Sequence, residues 1–199
     1  MPEMIRILCE GLATVLFALI CTRFLCKNMK KRNFRFVPWL PYVLTGCGSA
    51  MLFLLGGLSP WTFCGIAFLF VLLYASVQDH STHEADDVLS VMMLMLAVTN
   101  ISEVTVLSQL LGAAIVCGAQ MLIALCGKKR MGIGGADIKL STAAALLLGF
   151  YKGVIGFMLG LLIAVVAQLI ITHRKKEQRT QPFALLPYLS VGFIIGYLI

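Results

Sequence analysis

Charge is scarce in this chain. Lys, Arg, Asp and Glu make up 13% of its 199 residues, against about 25% in an average soluble protein. Apolar residues make up 60%, and the mean hydropathy is +0.95. These values exclude a soluble globular domain and point to a polytopic membrane protein. Too little polar sequence remains for a second domain, so residues 1–199 are expected to form one membrane-embedded unit. C-x-x-C pairs are missing among the seven cysteines, which removes a zinc ribbon. Most of the cysteines lie inside apolar runs, where Cys acts as a small hydrophobe. A small-residue cleavage site is missing after the first apolar run. Lys27-Asn-Met-Lys-Lys-Arg32 follows it instead, a stop-transfer pattern rather than the end of a signal peptide. Acidic residues number nine against sixteen basic ones, for a net charge of +7. The basic residues sit in short loops between apolar runs. Membrane topology therefore accounts for them, and no nucleic-acid partner is expected.

What is present in abundance is apolar sequence. The predicted spans are Met4–Cys26, Val37–Leu58, Trp61–Val77, Val88–Val98, Val104–Cys126, Ile138–Tyr151, Gly153–Thr172 and Phe183–Ile199. A span needs about 20 residues. The fourth, sixth and eighth fall short of that, so eight crossings are expected with six or seven as alternatives. The expected fold is all-α, a polytopic transmembrane helical bundle. One set of loops carries Lys27, Lys30, Lys31, Arg32 and Arg35, then Lys128, Lys129 and Arg130, then Arg174, Lys175, Lys176 and Arg179. The opposite loops, Gly57–Pro60, Thr99–Glu103 and Tyr151-Lys152, carry almost none. The basic loops are therefore assigned to the cytoplasm and both termini to the outside. Arg6 and Glu10, four apart, are read as a pair on one helical face at the outer interface. Asn100-Ile-Ser102 forms a sequon in an outer loop, which matters only in a eukaryotic secretory setting.

This topology places two aspartates at one face. The third span runs inward and ends at Asp79, and the sixth starts from the inside just after Asp137. A carboxylate at the edge of hydrocarbon is costly and is usually kept for a task. Two at one depth are what an aspartic protease uses to share a proton and activate water. Gly132-Ile-Gly134-Gly135-Ala136-Asp137 joins a basic stop to an apolar run. Its glycines allow the backbone to bend and other chains to come close. The blander reading is a loop whose Asp caps the next helix. Asp79-His-Ser-Thr-His-Glu84-Ala-Asp86-Asp87 holds an acidic cluster on an otherwise basic face. Glu84, Asp86 and Asp87 would suit a positively charged substrate segment, or Asp86 or Asp87 caps the fourth span. His80 and His83, three apart with no clear third ligand, give a weak metal signal, and no metal is expected.

At these residues the chain resembles a type IV prepilin peptidase, one of the GxGD membrane aspartic proteases. Gly134-Gly-Ala-Asp137-Ile-Lys139-Leu is similar to the family's G-x-G-D-h-K-L, where h is apolar. Asp79 with Asp87 after a polar stretch is similar to its D-x5-I-P-[DN] segment, and Pro182-Phe-Ala-Leu-Leu-Pro187-Tyr-Leu is similar to its P-F-G-P-[FY]-L run. Order and spacing agree over about Trp61–Ile199. Ala136 stands where the family has Gly, and Ala85-Asp86 where it has Ile-Pro. Two extra residues separate Phe183 from Pro187.

The resemblance implies cleavage of the basic leader from prepilin-like proteins, after a Gly, at the cytoplasmic face of a bacterial plasma membrane. Asp79 and Asp137 would be the catalytic pair, with no cofactor. Gly134, Gly135, Ala136 and Lys139 would support the motif, and Lys139 either meets a lipid phosphate or substrate carboxylate or snorkels to the interface. The cysteine-rich cytoplasmic loop of larger, N-methylating members is absent, so the chain is closer to the compact peptidases. Two other readings stay open. A presenilin-like or signal-peptide-peptidase-like protease shares the chemistry, but here no Tyr precedes the first aspartate and no clear Pro-Ala-Leu motif appears. A small ion-coupled transporter would place its charges at the bilayer midplane in broken helices.

Overall fold

The computed structural model describes residues 2–82, 86–100, 104–126, 134–174 and 184–199. These form eight helices: α1 (Pro2–Lys31), α2 (Leu40–Gly56), α3 (Pro60–Thr82), α4 (Asp87–Thr99), α5 (Val106–Cys126), α6 (Gly135–Leu148), α7 (Phe150–Arg174) and α8 (Leu186–Leu198). No strand occurs among the described residues. The chain is thus a helical membrane bundle, one helix for each predicted span. Ile5–Lys31, Pro60–Thr82, Val106–Leu125 and Phe150–His173 are long and apolar enough to cross a bilayer. Helices α4 and α8 have 13 residues and α6 has 14. At 1.5 Å per residue they reach only about 20 Å, less than the hydrocarbon thickness of about 30 Å.

Two boundaries differ from the sequence expectation. Helix α1 continues past Cys26 to Lys31. Lys is a good helix former, and cations suit the negative end of the helix dipole. The break between α6 and α7 falls at Gly149, not at Lys152. Gly149 has φ +77°, a backbone that glycine enters without the steric cost other residues meet. The Phe150 N–H then donates to Ser108 Oγ at 2.9 Å.

Cross-links at the two ends of the bundle settle which termini meet. At one end Arg32, just past α1, pairs with Asp86 at the start of α4. The backbone N–H of Arg35 donates to Ser81 Oγ of α3. Lys139 of α6 pairs with Asp87 of α4, and the start of α8 meets Asp79 of α3. At the other end Asn100 Nδ2 donates to Leu147 O of α6 at 3.0 Å, and Tyr197 Oη donates to Trp61 O at 2.6 Å. Asn100 is buried, so the sequon asparagine is a structural tie between α4 and α6. The ends of α1 and α3 and the starts of α4, α6 and α8 therefore lie together, as the alternation of spans requires.

The core forms around α3 and α6. Helix α3 buries Ile66, Phe68, Leu72, Leu73 and Ala75, and α6 buries Leu140, Ala143, Ala144, Ala145 and Leu147. The three alanines let α4, α5 and α7 approach α6 closely. Helix α8 packs between α3 and α7. Gly156 and Gly160 of α7 face Gly192 and Gly196 of α8, and a Cβ on Gly192 would run into the backbone of Gly156 and Gly160. These two G-x-x-x-G faces seat α8 against α7. On its other flank α8 offers Ser190, whose Oγ lies 2.8 Å from Ser76 Oγ of α3. Tyr197 stacks on Phe68 at 5.4 Å.

Candidate functional site

Asp79 lies in the last turn of α3, with only 5% of its surface exposed. At about 1.5 Å per residue it stands about 28 Å along the helix from Pro60, close to one hydrocarbon thickness. Its Oδ2 accepts the backbone N–H of Leu186 at 3.0 Å. Leu186 opens α8, whose first-turn N–H groups have no partner within the helix. Pro187 follows and has no N–H. The Tyr188 and Leu189 N–H groups return to Leu185 O. The Leu186 N–H is thus left over by the local geometry, and it is spent on Asp79. A helix N-terminus suits a carboxylate as acceptor.

Asp137 occupies the first turn of α6, ahead of the apolar run that starts at Ile138. Gly134 takes the N-cap position, and its carbonyl accepts the Asp137 N–H at 3.0 Å. Burial pushes the Asp137 carboxyl up to about 6, and the nearby Asp79 carboxylate adds to this, against the lowering effect of a separate hydrogen bond that the carboxyl itself accepts from the Gly134 backbone. The two aspartates, 58 positions apart in sequence, are thus close enough to act on each other. Below them Ser141 Oγ donates to Gln120 Oε1 of α5 at 2.8 Å, which ties the first turns of α6 to α5.

From Gly134 on, the glycine motif does not form the bent loop that its glycines would allow. Gly135 and Ala136 are already helical, and Gly134 has φ −63°. Asn33 is the one described non-glycine residue with positive φ, so the Ala136 methyl carries no backbone strain. A Cβ on Gly135 would meet nothing within 4 Å, whereas one on Gly134 would lie 3.4 Å from Asp137 Oδ2. Gly134 keeps the flank of that carboxylate open.

The acidic segment is engaged by cations of the same chain. Asp86 takes the N-cap position of α4, yet its side chain makes no capping hydrogen bond. It accepts from Arg32 Nη1 at 2.5 Å. The Arg32 hydrogen bond, with a second from Gln78, holds the Asp86 carboxyl below its ordinary value. Asp87 Oδ1 accepts from Lys139 Nζ at 2.8 Å, so Lys139 reaches sideways to α4. Both pairs are substantially exposed. Glu84 and His83 lie outside the described residues, as do Gly132, Lys128–Arg130, Lys175–Arg179 and Pro182-Phe183. Among the described residues no three His, Cys, Asp or Glu side chains gather as a metal site.

Sequence reasoning missed Leu186. Its contribution is a backbone N–H, which every residue but proline carries, so its identity holds no signal. The signal lay in Pro187, one residue inside a helix start. No curated protein and no solved structure matches the chain. Residues 66–173 match the type IV leader peptidase family, and with more than half of its length inside that match the chain belongs to this family of peptidases.

Proposed function

We propose that the chain is an aspartic endopeptidase that removes the basic leader from prepilin-like proteins at the cytoplasmic face of a bacterial plasma membrane. The observation that carries this reading is the coupled pair Asp79 and Asp137, brought from α3 and α6 to one end of the bundle. Asp79, held by the Leu186 N–H, is the base. It takes a proton from a water whose oxygen attacks the scissile carbonyl carbon. Protonated Asp137 gives its proton to the carbonyl oxygen. The tetrahedral diol then collapses: its C–N bond breaks, the amine leaves with the proton that Asp79 took up, and one hydroxyl returns its proton to Asp137 as the C=O of the product acid forms.

Glu84, Asp86 and Asp87 follow Asp79 in sequence and would attract the Lys and Arg residues of a leader. Asp86 and Asp87 already hold Arg32 and Lys139, so a leader would compete with these internal cations. The raised carboxyl of Asp137 supports the acid role. The placement of both carboxylates at helix ends speaks against a midplane ion-coupling site.

The test is single-turnover cleavage of a peptide with a basic leader, a Gly and an apolar helix, using purified protein in detergent. Asp79→Asn and Asp137→Asn are each expected to abolish cleavage while the protein stays folded, and EDTA is expected to leave the wild type active. Substantial activity in either variant removes that residue from the pair. Loss in EDTA restored by Zn²⁺ points to metal chemistry instead.

A further inference from the structure

At the basic end of α1 lies a cavity of about 690 Å³ that neither carboxylate enters. Ile20, Arg23, Phe24, Lys27 and Lys30 of α1 line one wall, and Tyr42 of α2 stands opposite. The α1 residues recur at three- and four-residue intervals and so share one helical face. From Ile20 to Lys30 the wall runs about 15 Å along the helix axis. Ile20 and Phe24 are the apolar positions of that wall, and Arg23 between them with Lys27 and Lys30 beyond them are the cationic ones.

Two features identify an occupant. First, Arg23, Lys27 and Lys30 make no ion pair among the described residues, whereas Arg32 beside them pairs with Asp86 and Arg6 at the far end of α1 pairs with Glu10. Three unmatched cations around one cavity call for an anion. Second, Ile20 and Phe24 are 69% and 74% exposed and continue the apolar face of Leu12, Leu16 and Phe17. The cavity therefore opens sideways to the bilayer as well as toward the headgroups. A ligand that fits has a negative head, a long apolar tail and access through the membrane. A basic leader peptide is repelled by the same three cations.

We infer that this cleft between α1 and α2 is a binding site for one anionic phospholipid. Its phosphate lies among Arg23, Lys27 and Lys30, and an acyl chain runs along Ile20 and Phe24. The volume is in the range of ordinary ligand pockets, about 300–1,000 Å³, enough for a headgroup and the upper part of a chain. Phe34 links the cleft to the rest of the bundle. It lines the cavity and packs edge-on against Tyr74 of α3 at 5.9 Å, five residues before Asp79.

The test compares lipid retention by native mass spectrometry after purification with dioleoyl phosphatidylglycerol or dioleoyl phosphatidylcholine. Arg23→Gln with Lys27→Gln removes two cleft charges, and Lys31→Gln with Arg35→Gln removes two outside it. Ile20→Trp fills the apolar end without altering charge. The wild type is expected to hold one phosphatidylglycerol in preference to phosphatidylcholine. The cleft double variant is expected to lose that lipid by about tenfold, the outside pair to keep it, and Ile20→Trp to weaken it. Equal loss in both double variants shows surface charge alone and overturns the site. Retention in Ile20→Trp at the wild-type level does the same for the acyl groove. Displacement of the lipid by glycerol phosphate or inorganic phosphate would show a free phosphate ligand and also overturns the lipid assignment.

Discussion

The Leu186 backbone N–H donates to Asp79 Oδ2 across 3.0 Å, joining residues 107 positions apart. This bond sets the start of α8 against the last turn of α3 and gives Asp79 a structural role that can be separated from the catalytic one proposed for it. Asp79→Asn keeps an oxygen acceptor for the N–H, whereas Asp79→Ala leaves a buried donor without that partner. Both variants are expected to be inactive. Only the alanine variant is expected to lose stability, by about 1–3 kcal/mol. Unfolding midpoints in one detergent check this. Equal midpoints for the two variants would show that the bond does not hold α8.

The raised carboxyl of Asp137 gives a pH dependence of known sign. Its value moves from 3.8 up to about 6 on folding, so the folded protein holds this proton more tightly than the unfolded chain. The resulting stabilisation is complete below the unfolded value and is lost as pH rises through about 6. Asp137→Asn cannot ionise, so it should gain on the wild type between pH 4 and 7 by about 1–2 kcal/mol, after allowance for partial exposure. Cleavage should fall by about tenfold per pH unit above about 6, where the acid is unprotonated. A rate profile flat to pH 8 would take Asp137 out of the acid role.

The three small residues before Asp137 should respond differently to substitution. Gly134→Ala places a methyl 3.4 Å from Asp137 Oδ2. It should leave the fold intact while cutting kcat/KM by about tenfold, because the methyl occupies space beside that carboxylate which water or substrate would otherwise use. Gly135→Ala points into open space and should be active. Ala136→Gly should also be active, with a stability loss of up to about 1 kcal/mol from the added backbone freedom. Steady-state kinetics with thermal unfolding on the same samples separates the three.

Helix α8 carries a second pair of opposed outcomes. Gly192→Ala forces a methyl into the backbone of α7 at Gly156 and Gly160. A loss of about 1–3 kcal/mol is expected from overpacking, together with loss of cleavage as the Leu186 N–H shifts from Asp79. Gly118→Ala in α5 meets nothing within 4 Å and should be neutral or stabilising by up to about 1 kcal/mol. Thermal midpoints of the two variants test the packing of α8 on α7.

The sequence by itself determined the class of protein, the eight helices and the placement of two aspartates at one end of the bundle. Apolar runs of this length enter a bilayer as helices that satisfy their own backbone, and the alternation of Lys- and Arg-rich loops with loops nearly free of Lys and Arg fixes which ends share a side. Asp79 and Asp137 could be placed at one end of the bundle from that parity alone. Helix ends were less legible. Charge at Lys27–Lys31 marks the end of the apolar run but not the end of the helix, because a helix can run on past the hydrocarbon. Only the tertiary structure decided where individual side chains turn. Asp86 and Asp87 looked alike as surface acids, and the packing of α1 and α6 beside α4 gave one to Arg32 and the other to Lys139. The same holds for Leu186, whose backbone N–H reaches Asp79 because opposed glycines seat α8 on α7. Spacing along one helix records neighbours on that helix. Contacts between helices depend on depth and rotation, which the packing of the whole bundle sets.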